Sequence, residues 1–231
     1  MNAIIVAAGL GTRFKELTKH THKSLLPING IPNLERTIRM LNQADIHEIH
    51  IITGYLANQF DYLVKKFPGV QTHYNDKYES YNSIYTFSKA LPYFGDSFVI
   101  DADSVLKNNV FTFHPQESCY FTILRTIHGT EWCPITNDSN RVTHIEVTDK
   151  HIPSMSGISF WSKSTANDIK SVYPNYMQDN VLTQKQLYWD TIPTKLFKKI
   201  IMHTHQVSED SMYEMDTQEN YKTIQKLLST N

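Results

Sequence analysis

The run Ala3-Ile4-Ile5-Val6-Ala7 is apolar without a break, rich in β-branched residues, and then cut by Gly9 and Gly11. A strand with one wet face alternates apolar and polar residues. A strand that does not alternate is buried on both faces, as in a parallel sheet covered by helices. The next hundred residues repeat the theme. Ile49-His50-Ile51-Ile52-Thr53 is a second such strand, stopped by Gly54, and residues 70–74 follow as a third strand. A fourth, Ser97-Phe98-Val99-Ile100, runs into Asp101-Ala102-Asp103. Helical spacing fills the gaps. Leu34, Ile38 and Leu41 share a face of a helix over 34–43 that Asn33 can cap, and Phe60, Leu63 and Phe67 share one over 56–66. A further helix is expected over 83–91. This alternation predicts an α/β fold, a Rossmann-like doubly wound and mostly parallel sheet.

Beyond about residue 110 the pattern changes. Strands are expected at 120–125, 141–147, 155–161 and 200–205, with helices at 164–172, 189–197 and 218–228. No linker or repeat interrupts the 231 residues. They read as one domain, with a nucleotide half to about 110 and an acceptor-binding half after it. With 40% hydrophobic residues the chain can bury its own core. A net charge of −1 offers no basic surface for nucleic acid or an anionic membrane. The first apolar run is too short for a signal peptide or a spanning helix, and no later stretch approaches about 18 apolar residues. A cytoplasmic protein is expected, with Cys119 and Cys133 as free thiols. The sequence leaves open whether the chain forms a homo-oligomer.

The loop Ala7-Ala8-Gly9-Leu10-Gly11-Thr12-Arg13 follows the first strand directly. Small residues let a ligand approach the backbone, and amides turned into a concavity bind anionic oxygens. The spacing is neither the dinucleotide Gly-x-Gly-x-x-Gly, since Phe14 stands third, nor a Walker A loop. Glycines alone are equally consistent with a tight strand exit. Two cations alter the balance: Arg13 ends the loop, and Lys23 stands ten residues on, in Thr21-His22-Lys23-Ser24-Leu25-Leu26-Pro27. Arg and Lys are the usual clamps for a departing pyrophosphate.

Ala-Ala-Gly-x-Gly-Thr-Arg with Lys23 before an apolar pair resembles the signature of the sugar-phosphate nucleotidyltransferase family, with its GT-A-like fold. The departure is His22, where many members carry proline. The resemblance implies that Ala7, Ala8, Gly9, Gly11, Thr12, Arg13 and Lys23 hold a triphosphate. Gly54, Tyr55 and Asn82 stand at base-reading positions, although Asn82 fits equally well as a helix cap. Nucleotidyl transfer calls for Mg²⁺, which takes one or two carboxylates plus phosphate oxygens. Asp101 and Asp103 stand at the carboxyl end of a strand, where α/β sheets bind ligands, and alternate residues face opposite ways. The resemblance favours Asp103 as a catalytic metal ligand and leaves Asp101 to order the nucleotide site. It pairs Asp103 with Asp216, which by residue type alone would cap the last helix.

Further motifs recur in order. Among them are Tyr81-Asn82-Ser83-Ile84-Tyr85, Glu131-Trp132, Ser156-Gly157-Ile158-Ser159-Phe160-Trp161, Leu187-Tyr188-Trp189-Asp190 and Tyr213-Glu214-Met215-Asp216. Together they are similar to the bacterial choline-phosphate cytidylyltransferases. That resemblance implies CTP and phosphocholine as substrates, and CDP-choline for decorating surface polysaccharide. Aromatic faces and a nearby carboxylate suit a quaternary ammonium, which cannot donate hydrogen bonds. Tyr85, Trp132 and Tyr188 are the candidate cage walls, with Asp190 and Glu214 as the carboxylates. In Phe160-Trp161 and Tyr188-Trp189, one residue of each pair is expected in the core.

Overall fold

The computed structural model describes residues 1–125 and 129–229. Strands β1 (Asn2–Ala7), β4 (Ile49–Thr53), β5 (Val70–Tyr74) and β6 (Ser97–Asp101) match the four expected strands, with β5 at the sheet edge and only Val70 of it buried. They pair in parallel, in the spatial order β5-β4-β1-β6. Ile4, Ile5, Ile49, Ile51, Ile52 and Phe98 are wholly buried, because helices cover both faces.

The sheet continues into the second half of the chain. Strands β8 (Cys119–Ile123), β11 (Ser154–Trp161) and β12 (His203–Val207) extend it to seven, in the order β12-β8-β11-β6-β1-β4-β5. Only β11 runs antiparallel to its neighbours; β12 and β8 are parallel. One sheet therefore spans both halves. Short pairs of β2 (Pro27–Ile28) with β3 (Ile31–Pro32), and of β7 (Ser104–Leu106) with β13 (Met212–Glu214), lie beside it. Strand β9 (Glu131–Thr136) forms a ribbon with β10 (Val142–Thr148).

The longer helices are α1 (Asn33–Gln43), α4 (Lys163–Val172) and α7 (Gln218–Ser229). Shorter ones are α2 (Asp61–Lys66), α3 (Ser83–Ser88), α5 (Asp179–Leu182) and α6 (Thr191–Thr194). Several expectations need correction. Asn33 is the first helical residue rather than the cap, and its amide donates to the Ser104 carbonyl. The helix expected over 56–66 is a 3₁₀ turn (Ala57–Phe60) leading into α2, after Leu56 takes a left-handed conformation. That over 189–197 shrinks to α6, which contains Pro193. Strand β9 was not expected at all; Pro134 within it and its short alternation hide it. Both cysteines are free and buried.

Phe160 and Trp161 are both buried, so neither of that pair faces a ligand. Strand β11 is an interior strand with cover on both faces, which overrides the expected split. Trp189 joins the same core, stacked on Phe87 with ring centroids 4.1 Å apart. Among the described residues no helix is long and apolar enough to cross a membrane.

Candidate active site

Chain order reverses beside β1: β4 and β5 lie on one side and β6 on the other. Ligands bind α/β sheets at that switch point, beyond the carboxyl ends of the strands. A cavity of about 500 Å³ opens there. Ala7, Ala8 and Gly9 leave β1 along one wall, and Asp101 and Asp103 leave β6 beside them. Strand register sets this meeting, since Val6 pairs with Asp101. Lys23 comes in from the next segment. Its stem packs on Gly11, whose φ of +62° is in the left-handed region, and a Cβ there would lie 3.3 Å from Thr18 Cγ2.

Electrostatics dominates this end of the cavity. The Lys23 ammonium donates to Asp103 Oδ2 at 2.6 Å and lies 3.8 Å from Asp216 Oδ1. Arg13 pairs with the same Asp216 oxygen at 2.8 Å. Strand β13 carries Glu214 opposite Ser104, and the Met215 amide donates to the Asp103 carbonyl, which brings Asp216 to Asp103. Asp101 opens onto the cavity but is ringed by protein. Burial, then the carboxylates of Asp103, Asp190 and Glu214, push it well above the usual carboxylate range. Gly157, with φ of +77°, lets β11 pass close by: a Cβ there would come within 2.8 Å of Ser104 Oγ and 3.3 Å of Asp101.

Further lining comes from the second half. Trp132 on β9 and Tyr188 meet edge to face, centroids 6.3 Å apart at 82°, and both are substantially exposed. Beside them are Glu131, Glu214 and Asp190. Burial raises Asp190 to about 6. Glu214 is also raised by burial, with Arg125 opposing, since Arg125 donates to it at 2.6 Å. Arg125 further reaches Glu131 at 3.6 Å and donates to the Met155 carbonyl. No sequence signal pointed to Arg125, a lone cation after a strand. Tyr78, Tyr81 and Gly157 also line the cavity, and the sequence reading gave none of them a role.

Other anticipated residues lie elsewhere. Tyr85 is off the cavity: its hydroxyl donates to Asp76, and the Lys89 ammonium sits 4.6 Å from its ring centre. Gly11, Thr12 and Arg13 do not line the cavity; Thr12 and Arg13 already belong to a 3₁₀ turn. Gly54 and Tyr55 support the loop from behind. A Cβ on Gly54 would lie 2.8 Å from the Ala8 carbonyl oxygen, to which the Tyr55 amide donates at 3.2 Å. Asn82 borders the cavity, but its amide is committed: Oδ1 caps α3 through the Ile84 amide, and Nδ2 donates to the Val181 and Gln184 carbonyls. The cap reading therefore describes its hydrogen bonds better than base reading does.

A chain of 48% identity over its whole length, and over 99% of the relative, is the choline-phosphate cytidylyltransferase of Haemophilus influenzae. The chain belongs to the choline-phosphate cytidylyltransferase family. The solved structure of CTP:phosphocholine cytidylyltransferase from Streptococcus pneumoniae superposes with a TM-score of 0.92, at 36% identity over 98% of each chain. A 2-aminoethylphosphonate cytidylyltransferase from Lancefieldella rimae is 31% identical over 94% of this chain and 88% of its own. The MobA-like NTP transferase domain matches residues 3–111, the part that supplies the loop, Lys23 and Asp103. The fold is thus that of the family.

Proposed function

We propose that this protein transfers CMP from CTP to phosphocholine, releasing pyrophosphate and yielding CDP-choline for the decoration of a surface polysaccharide. The observation that carries this reading is one cavity lined by two chemically different sets of groups. Lys23 and Asp103 face the strand ends of β1 and β6, and the Trp132–Tyr188 corner with Asp190 faces them from the second half. A substrate with an anion at one end and a quaternary ammonium at the other matches both.

The backbone leaving β1 at Ala8 and Gly9 binds triphosphate oxygens. A phosphocholine oxygen, already anionic and needing no general base, forms a bond to the α-phosphorus. The bond from that phosphorus to the bridging oxygen of pyrophosphate breaks in line. Lys23 and Arg13 then match the charge of the leaving group, which requires their present pairs with Asp103 and Asp216 to open. Asp103 and Asp216 converge on one ammonium, and two carboxylates with phosphate oxygens and water suit Mg²⁺. Those two residues would hold the ion, which when bound acts as a Lewis acid on the phosphates. Trp132 and Tyr188 bind the trimethylammonium face, and Asp190 supplies a counter-charge.

The carboxylates Glu131, Asp190 and Glu214 also suit a primary ammonium, so 2-aminoethylphosphonate is the second reading. Pyrophosphate release from CTP in the presence of phosphocholine, phosphoethanolamine, 2-aminoethylphosphonate or a sugar 1-phosphate tests both. Preference for phosphocholine in kcat/KM is expected. Preference for a primary amine would overturn the acceptor, and no turnover with any acceptor would overturn the enzyme.

A further inference from the structure

His22 has no part in the chemistry above, yet it stands 1% exposed at the edge of the cavity with both ring nitrogens engaged. The Ser24 backbone amide donates to Nδ1 at 3.2 Å, and the Ser24 hydroxyl lies 2.8 Å away. A ring nitrogen that accepts from a backbone N–H carries no proton. The proton of the neutral ring is therefore on Nε2, which faces the Gly9 carbonyl at 3.2 Å. Burial lowers His22 to about 4, so this division of donor and acceptor holds at physiological pH. Phe60 meets the ring edge-on with centroids 5.0 Å apart and fixes its plane.

Gln59 secures the same segment from behind. Its Oε1 accepts the His22 amide at 2.9 Å, and its Nε2 donates to the His20 carbonyl at 2.8 Å. The next residue is Lys23, whose stem rests on Gly11 and whose ammonium reaches Asp103. One side chain thus ties the strand-exit loop to the segment that carries the cation. We infer that His22 is a positioning residue for nucleotidyl transfer, fixing Gly9, and with it the loop amides, relative to the Lys23 ammonium. This rests on the nucleotide reading of the loop proposed above.

Two variants separate the donor from the bulk. His22→Leu fills the space without donating, and His22→Gln keeps an N–H that can reach Gly9. In the ligand-free protein, His22→Leu is expected to speed hydrogen exchange of the amides of residues 8–11 about tenfold, the worth of one buried hydrogen bond. His22→Gln is expected to stay within about threefold of wild type. In turnover, His22→Leu should lower kcat/KM for CTP about tenfold and leave the phosphocholine KM within about twofold, with His22→Gln restoring most of the loss. Unchanged loop exchange in His22→Leu overturns the inference. So do equal losses in both variants, or equal effects on the two substrates. If His22→Leu does not fold, Gln59→Leu is read in the same assays, and wild-type values there overturn the inference. Failure of the wild type to turn over CTP would refute the proposed reaction instead, while the exchange experiment still decides on His22.

Discussion

Asp190→Asn should make the protein more stable and a poorer enzyme. Burial raises this carboxyl from 3.8 to about 6, and no described side chain donates to it. At about 1.4 kcal/mol per pH unit, ionising it in the folded chain costs at most about 3 kcal/mol more than in the unfolded chain at pH 7.5. The sign follows from proton binding. Between pH 3.8 and 6 the folded state holds the proton more tightly, so rising pH erodes stability through that window. Asparagine has nearly the same shape and no charge to bury. Its advantage should be about 3 kcal/mol at pH 7.5, fall to about 1 kcal/mol at pH 4.5, and vanish below pH 3.8. For a chain of this size the neutral-pH gain is a Tm rise of up to about 10 °C. Phosphocholine should suffer, because a unit charge a few ångström from the ammonium is worth more than ~1.4 kcal/mol at an effective dielectric near 20. A rise of tenfold or more in its KM is expected, with little change for CTP. Denaturation of both proteins at the two pH values, with parallel kinetics, checks this. A destabilised variant at pH 7.5, or the same difference at both pH values, would refute the reasoning.

Lys23→Ala should lower kcat by roughly 10²–10³, the usual loss when a preorganised charge facing the transferred phosphate is removed; steady-state rates in a correctly folded variant measure it. Trp132→Ala should raise the phosphocholine KM roughly tenfold and leave CTP affinity almost unchanged, since its ring faces the cavity from the acceptor wall. Calorimetric titration with each ligand reads the two effects separately. Gly54→Ala should cost ~1–3 kcal/mol in urea denaturation, because the new methyl would press 2.8 Å from the Ala8 oxygen and 2.7 Å from Tyr78 Cβ. It should weaken CTP more than phosphocholine, since the displaced backbone belongs to the loop.

The nucleotide half was legible because one physical cause writes it. A strand buried on both faces is mostly apolar, and β1, β4 and β6 show this even with buried His50 in β4. The loop and Lys23 follow at fixed distances from β1, so reading the strand placed them too. The acceptor half was harder because its site is assembled by tertiary pairing. Strand β9 carries Trp132 on a Pro-containing ribbon, and Arg125 acquires a role only once β13 has brought Glu214 to it.

Residue type alone misplaced Tyr85 and left Asn82 between two roles. Tyr85 had the right chemistry for a cage, but Lys89 and Asp76 hold it outside the cavity. Asn82 had two roles available, and three hydrogen bonds to helix and loop backbone use the amide. His22 shows the converse. In the sequence it is only a departure from a family pattern, yet burial and two engaged ring nitrogens make it a junction between loop and cation. The pairs Lys23–Asp103 and Arg13–Asp216 carry this reasoning to the chemistry itself. Each puts a cation that a triphosphate would attract against a carboxylate that a metal would attract. Nucleotide and metal arriving together would replace both partners at once, so neither cation nor carboxylate need be left uncompensated.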